Sequence, residues 1–173
     1  MNELQAMRQE KDDMFAHHPD SPLMPEDRGG FKGLDYFTEN EALKLEVQVQ
    51  EFPVKDPIEM QTSTGDIQHY ERYGRFQFTV EGQPAELTIY QSEHGFFLPF
   101  VDSLAGKETY PAGRYLEPEP LPGGRFLVDF NLAYNPFCAY SEYYSCPLTP
   151  FENRLKLPIR AGEKTFKHAE HDH

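Results

Sequence analysis

From Leu43 onward the chain alternates. Leu43, Leu45, Val47 and Val49 fall on one side of an extended backbone, and Lys44, Glu46, Gln48 and Gln50 fall on the other. Successive side chains of a strand point to opposite faces, so this spacing reads as a half-buried strand. The same period returns in Phe76, Phe78 and Val80, in Ala85, Leu87 and Ile89, and in Phe126, Val128 and Phe130 of a strand over 125–131. Turn residues lie between these runs. Thr64-Gly65-Asp66 separates strands expected at Ile58 to Ser63 and Ile67 to Tyr73, and Glu81 to Pro84 separates the next two. Phe96 to Val101 is a wholly apolar strand. A last one carries Leu155, Leu157 and Ile159; Pro158 has no amide hydrogen, so this strand belongs at an edge or ends early. Strands of this kind bury their faces only against each other, so the expected fold is mainly β, an antiparallel β-sandwich or barrel.

One helix precedes the strands. Residues 2–16 place Leu4, Met7, Met14 and Phe15 near one face, with Glu10, Lys11, Asp12 and Asp13 toward water. Asn2 is a cap, Gln5 completes a capping box, and Pro19 stops the helix. Three units are therefore expected. Residues 1–19 form a helical arm, 20–166 a single β-rich domain, and 167–173 a flexible tail holding His168, His171 and His173. A terminal tail of this type binds transition metals adventitiously, so no metal site is assigned.

Charge narrows the partners. Sixteen basic against 29 acidic residues give a net charge of -13, which opposes nucleic acid and anionic membranes as ligands. The apolar runs are too short to span a bilayer. The N-terminus has no apolar signal segment, so a cytoplasmic protein is expected. No P-loop, dinucleotide fingerprint, nucleophile elbow or zincin motif occurs, and nothing implies a flavin, nicotinamide or haem. The expected partner is a small polar molecule.

Chemistry-bearing residues gather late in the chain. If 125–131 is one strand, Asp129 and Asn131 share the face away from the core, where an acid beside a carboxamide can hold a polar ligand. The alternative is that both tie down the turn that follows. Arg114 follows a glycine and pairs either with a substrate anion or with Asp102 or Asp129 in a structural ion pair. Glu163 and Lys164 read as surface residues after a glycine turn. Cys138 and Cys146 are separated by seven residues, unlike the close pairs of structural zinc sites. A disulfide fits the spacing, but a reducing compartment argues against it. A nucleophilic thiolate needs a nearby His or cation, and no spacing brings His69 or His94 to Cys138. Free thiols packed against Tyr140, Tyr143 and Tyr144 are expected.

The segments FVDSLAGKETYPAGRYL, DFNLAYNPFCAYSEYYSCPLTPFENRL and IRAGEK, with FKGLDYF upstream, resemble the signature blocks of the domain of unknown function 1684 family. The likeness covers roughly residues 20–165. Position by position it carries the family's polar signature onto Asp102, Gly106, Thr109, Tyr110, Gly113 and Arg114. It continues through Asp129, Asn131, Tyr134, Asn135, Cys138, Cys146, Glu152 and Asn153 to Gly162, Glu163 and Lys164. Leu104 stands where relatives often have Thr, and Leu132 where they often have a basic residue, so a cation is missing beside Asn131.

The resemblance implies a site without naming a reaction. The expected site is a polar pocket around residues 102–153, in which Arg114, Asp129, Asn131, Tyr134, Asn135 and Glu152 bind a small molecule. A hydrolase-like alternative uses Asp129 or Glu152 as general base, with Arg114 or Tyr134 stabilising charge. A third reading has the polar residues only bracing loops in a non-catalytic module. Convergence of Arg114, Asp129, Asn131 and Glu152 on one concavity separates the first two from the third.

Overall fold

A computed structural model describes residues 2–168. The expected helix is present as α1, Glu3–His17, with Asn2 and Gln5 forming a reciprocal capping box. A four-residue turn of helix, α2 (Pro25–Arg28), follows. The strands are β1 (Lys44–Gln48), β2 (Gln50–Glu51), β3 (Pro57–Gln61), β4 (Ile67–Val80), β5 (Gln83–Ser92) and β6 (Gly95–Phe100). After a long loop come β7 (Arg114–Leu116), β8 (Glu119–Pro120) and β9 (Arg125–Asp129).

These strands form two antiparallel sheets. The larger has the order β2-β4-β5-β6-β7, with β3 also paired to β4, and the smaller the order β1-β9-β8. Neither sheet closes on itself, so the barrel alternative is set aside. The chain passes from the small sheet to the large one at Val49, whose amide donates to Gly124 O at 3.0 Å. Val47, Phe126 and Val128 of the small sheet share one buried core with Phe76, Phe78, Leu87, Ile89, Leu98 and Phe100 of the large one. Phe130 joins it edge-on to Phe100, with ring centroids 5.2 Å apart.

Three elements differ from the sequence expectation. The runs at 67–73 and 76–80 are a single strand, β4, bent by a register shift between Arg72 and Gly74. The strand expected over 125–131 ends at Asp129, because Phe130–Leu132 winds into a 3-10 turn capped by the Asp129 side chain. Residues 155–159 form no strand. They run beside Val101 and Ser103, tied by Leu155 N to Val101 O (2.7 Å) and Ser103 N to Leu157 O (3.0 Å).

The N-terminal segment lies against the β-body. Phe15 is fully buried with Leu23, Leu34, Ala139 and Tyr140. Lys11 and Asp12, expected in water, turn inward: Asp12 accepts from Leu34 N (3.0 Å) and from the Tyr36 hydroxyl (3.2 Å). Of the expected tail, His168 is described and its ring meets Asp27 Oδ2 and Ala139 O, each at 2.8 Å. His171 and His173 lie outside the described residues. No helix among the described residues is long and apolar enough to cross a membrane.

Candidate functional site

The residues expected to converge occupy three separate places. Arg114 is sealed in the interior, with its side chain 1% exposed. Its guanidinium donates to the carbonyls of Ile159 (2.9 Å) and Glu163 (3.1 Å) and to that of Ala161, and stands 3.5 Å from Asp102. Asp102 in turn accepts from Thr109 Oγ1 (2.7 Å) and Ile159 N (2.8 Å). Burial lowers the Arg114 pKa to about 10, against the pull of Asp102 and Glu163, so it is charged at neutral pH. The side chain fastens residues 159–163, whose one β contact among the described residues is an isolated antiparallel bridge between Glu163 and Tyr36.

Asp129 and Asn131 do not project side by side from a strand, because the chain turns at Phe130. The Asp129 carboxylate accepts from both the backbone amide (3.0 Å) and side-chain amide (2.9 Å) of Asn131. Asn131 mimics a strand neighbour for Asn40, accepting from its amide at 2.8 Å and donating to its carbonyl at 3.0 Å. Turn bracing, the second sequence reading of this pair, describes these bonds. Asp129 lines a hollow of about 130 Å³ shared with Leu116 and Leu127.

Glu152 is elsewhere again. Its two oxygens receive Arg72 Nε at 3.1 Å and the second guanidinium nitrogen at 2.7 Å, the Thr88 hydroxyl at 3.1 Å and the Tyr90 hydroxyl at 2.6 Å. Burial pushes this carboxyl up, yet the bonds from Arg72, Tyr90 and Thr88 outweigh it and hold the pKa below the ordinary value. The neighbouring Asn153 is fully buried and binds Thr88 N (2.9 Å), Thr88 O and Pro99 O (both 2.8 Å). The expected common pocket of Arg114, Asp129, Asn131 and Glu152 is therefore not formed. Each polar side chain found backbone or side-chain partners nearer than the others.

Asn131 and Tyr134 do line a cleft, together with residues that the sequence reading left aside. It measures about 140 Å³ between α1 and the β-body, and its other polar walls are Arg8, Lys11, Tyr36 and Glu163. Glu163, expected at the surface, is 3% exposed. Its carboxylate accepts from Asn135 N at 3.0 Å and the Tyr140 hydroxyl at 2.9 Å, and is paired with the Lys11 ammonium. Gly162 sets this carboxylate in place. At φ +81° it adopts a left-handed turn, and a Cβ there would stand 2.7 Å from Ala133 O and 2.8 Å from Phe130 O.

Arg8 donates to Phe37 O (3.0 Å) and Asn131 O (3.4 Å) and lies over the Tyr36 ring at 4.5 Å. Its Nε is buried without a partner among the described residues, as is Asn135 Oδ1. Tyr134 donates to Glu117. Burial raises the hydroxyl pKa of both Tyr36 and Tyr134, so both remain neutral donors. A faint sequence signal for this wall exists. Leu4, Arg8, Lys11 and Phe15 follow at intervals of four, three and four, one stripe of a helix.

Fold and site define an open, two-sheet antiparallel β-domain with a braced polar layer and an ionic cleft roofed by a helix. Residues 29–164 match the family described as "Protein of unknown function (DUF1684)", and the chain belongs to that family. α1 precedes the matched residues. Among solved structures, the solution NMR structure of an uncharacterised protein of Haloarcula marismortui is similar. It is 37% identical with a TM-score of 0.70, covering 94% of this chain and 92% of that one. No curated protein matches the chain.

Proposed function

We propose that this domain binds a small, anion-bearing polar molecule in the cleft beneath α1. The observation that supports the reading is the wall itself: two cations, Arg8 and Lys11, meet a buried carboxylate, two tyrosines and a carboxamide around open space. Arg8 also keeps a buried Nε without a protein partner, and an unsatisfied donor of this kind costs free energy until something accepts from it. A volume of about 140 Å³ falls below the range of drug-sized pockets. It suits a carboxylate of metabolite size whose oxygens bind Arg8 and Lys11 while its body packs against Tyr134 and the cleft face of Asn131. The site assignment for Asn131, Tyr134 and, through Glu163, Asn135 is thus kept in a new setting, in a domain read as cytoplasmic.

The non-catalytic reading of the remaining signature residues draws on their saturated bonds: Arg114, Asp129, Glu152 and Asn153 are occupied by the protein itself. The hydrolase alternative draws less support. A general base works best with a pKa near the operating pH, and Glu152 is held in the opposite direction.

Thermal-shift screening of small carboxylates and inorganic phosphate tests the cleft. A compound present at a hundredfold its Kd adds about 2.7 kcal/mol, a rise of several degrees for a domain of this size. The shift should vanish in Arg8→Gln and in Leu4→Trp, which fills the cleft. Failure of every compound to move the wild type, or an undiminished shift in both variants, would refute the reading.

A further inference from the structure

Cys138 and Cys146 lie apart from the cleft residues and are brought together by the loop that joins them. The Cys138 amide donates to Cys146 Sγ at 3.3 Å, and the Tyr110 hydroxyl stands 3.7 Å from Cys138 Sγ. The hairpin turn between β3 and β4 fixes the second cysteine: Cys146 N donates to Ser63 Oγ at 3.1 Å and Ser63 N to Cys146 O at 2.9 Å. Both thiols are free; Cys146 is buried, whereas Cys138 keeps partial exposure. The two are also unequal chemically. The bond from the Cys146 thiol, helped by Tyr110 and Ser63, lowers the Cys138 pKa to about 6 against the opposing effect of burial. The Cys146 thiol is pushed up by the same partner and by burial. The pairing thus biases the partly exposed Cys138 sulfur toward the thiolate and the buried Cys146 sulfur toward the protonated thiol. A nucleophilic thiolate ordinarily needs a His or a cation beside it, and Tyr140, Tyr143 and Tyr144 are the neighbours expected from the sequence. The groups found are Tyr110, Ser63 and the second thiol, and Tyr143 is 78% exposed.

We infer that Cys138 and Cys146 form a reversible oxidation site that reduces a hydroperoxide, Cys138 attacking and Cys146 resolving. In the first step the Cys138 thiolate sulfur attacks one peroxide oxygen. The S–O bond forms as the O–O bond breaks, and the departing hydroxide takes a proton from solvent to leave as water. Cys138 is then a sulfenic acid. In the second step the Cys146 sulfur attacks the Cys138 sulfur while its proton passes to the sulfenic hydroxyl. The S–S bond forms, the S–O bond breaks, and a second water leaves. Two thiols are oxidised to a disulfide, and one hydrogen peroxide is reduced to two waters. An external dithiol reverses the change by exchange. A hydroperoxide is small enough to reach a half-buried sulfur.

The test adds an equivalent of hydrogen peroxide to the reduced, native protein at neutral pH, followed by denaturing alkylation and mass spectrometry. The expected product has lost two hydrogens, carries no alkyl group on either cysteine, and regains both thiols with dithiothreitol. With dimedone present, Cys146→Ser, checked for folding by circular dichroism, should show an adduct on Cys138, and Cys138→Ser should show at most a tenth as much on Cys146. A second measurement needs no variant: native alkylation of Cys138 by iodoacetamide should level off above about pH 7, whereas an ordinary thiol climbs through about 8.5. Two cysteines still fully alkylated after peroxide, equal adducts in both variants, or a Cys138 rate that keeps rising to pH 9 would each overturn the inference.

Discussion

Arg114 and Lys11 each set a cation against a buried carboxylate, and the two pairs behave as opposites. Arg114 and Asp102 are both 1% exposed, and the guanidinium is further enclosed by three backbone carbonyls. Lys11 is 26% exposed against a Glu163 that is 3% exposed, and the pair joins residues 152 positions apart across the floor of a cleft. The first pair is dry on every side, so nothing from outside can compete for its charges. The second is wet on one side, and one of its partners rides on a single helix. A signature residue being charged and buried is therefore not a mark of a binding site. What distinguishes one is a charge that retains a face toward open space.

Breaking the sealed pair is expected to have the largest effect. Arg114→Met leaves Asp102 without its cation and strips donors from the carbonyls of 159, 161 and 163. Removing one partner of a buried pair costs about 3–5 kcal/mol, so urea unfolding should show a sharply lowered midpoint or no folded protein. A variant within 1 kcal/mol of wild type would erase the contrast between the pairs. Gly162→Ala comes next. Its positive φ and a Cβ 2.7 Å from Ala133 O force the backbone to move, at about 1–3 kcal/mol, and this should weaken both pairs together because the glycine lies between them.

Lys11→Met sharpens the comparison from the other side. Glu163 keeps its bonds from Asn135 and Tyr140, so the expected loss is about 1–2 kcal/mol. Hydrogen exchange should quicken in α1 and stay unchanged in β4 and β5; uniform quickening would show that the helix belongs to the same cooperative unit as the sheets.

The smallest effect is expected at Arg72 and Glu152, a third pair whose side chains are 32% and 33% exposed. Glu152→Gln should cost about 1 kcal/mol or less. Its pKa in the folded protein is depressed below 4.5. The stabilisation is thus fully present above pH 4.5 and is lost as pH falls through the lower folded value. Acid titration of stability should be shallower in Glu152→Gln over that window. An unchanged slope would mean the carboxylate is as free in the folded chain as in the unfolded one.

The sheets were legible in the sequence because alternation is a local property. Leu45, Val47, Phe76 and Phe78 declare their faces within a few residues, and the antiparallel, mainly β architecture with a leading helix follows from them. The polar layer was not legible for a physical reason. Arg114 binds backbone carbonyls, which every residue possesses, and no side-chain pattern records them. Asn131 meets Asn40, 91 positions away, and the strand assumed to carry it ends two residues earlier because Asp129 caps a turn. Lys11 looked solvent-facing on a helix wheel, since the wheel does not include a carboxylate brought in from residue 163.

The guanidinium of Arg114 also orders events in time. Asp102 and Arg114 leave the ribosome before Ile159, Ala161 and Glu163, whose carbonyls complete the shell around the charge. A nascent chain that has reached β9 holds every strand of both sheets, yet Arg114, with Asp102 and the Phe37 and Phe100 rings beside it, still lacks the three carbonyls that complete its shell. Domains generally fold as units during synthesis, so this interior is expected to seal only once residues 159–163 have been made. Translation that stops short of Ile159 leaves a charged gap in an otherwise finished β-body, a form suited to recognition by proteolysis rather than to slow maturation.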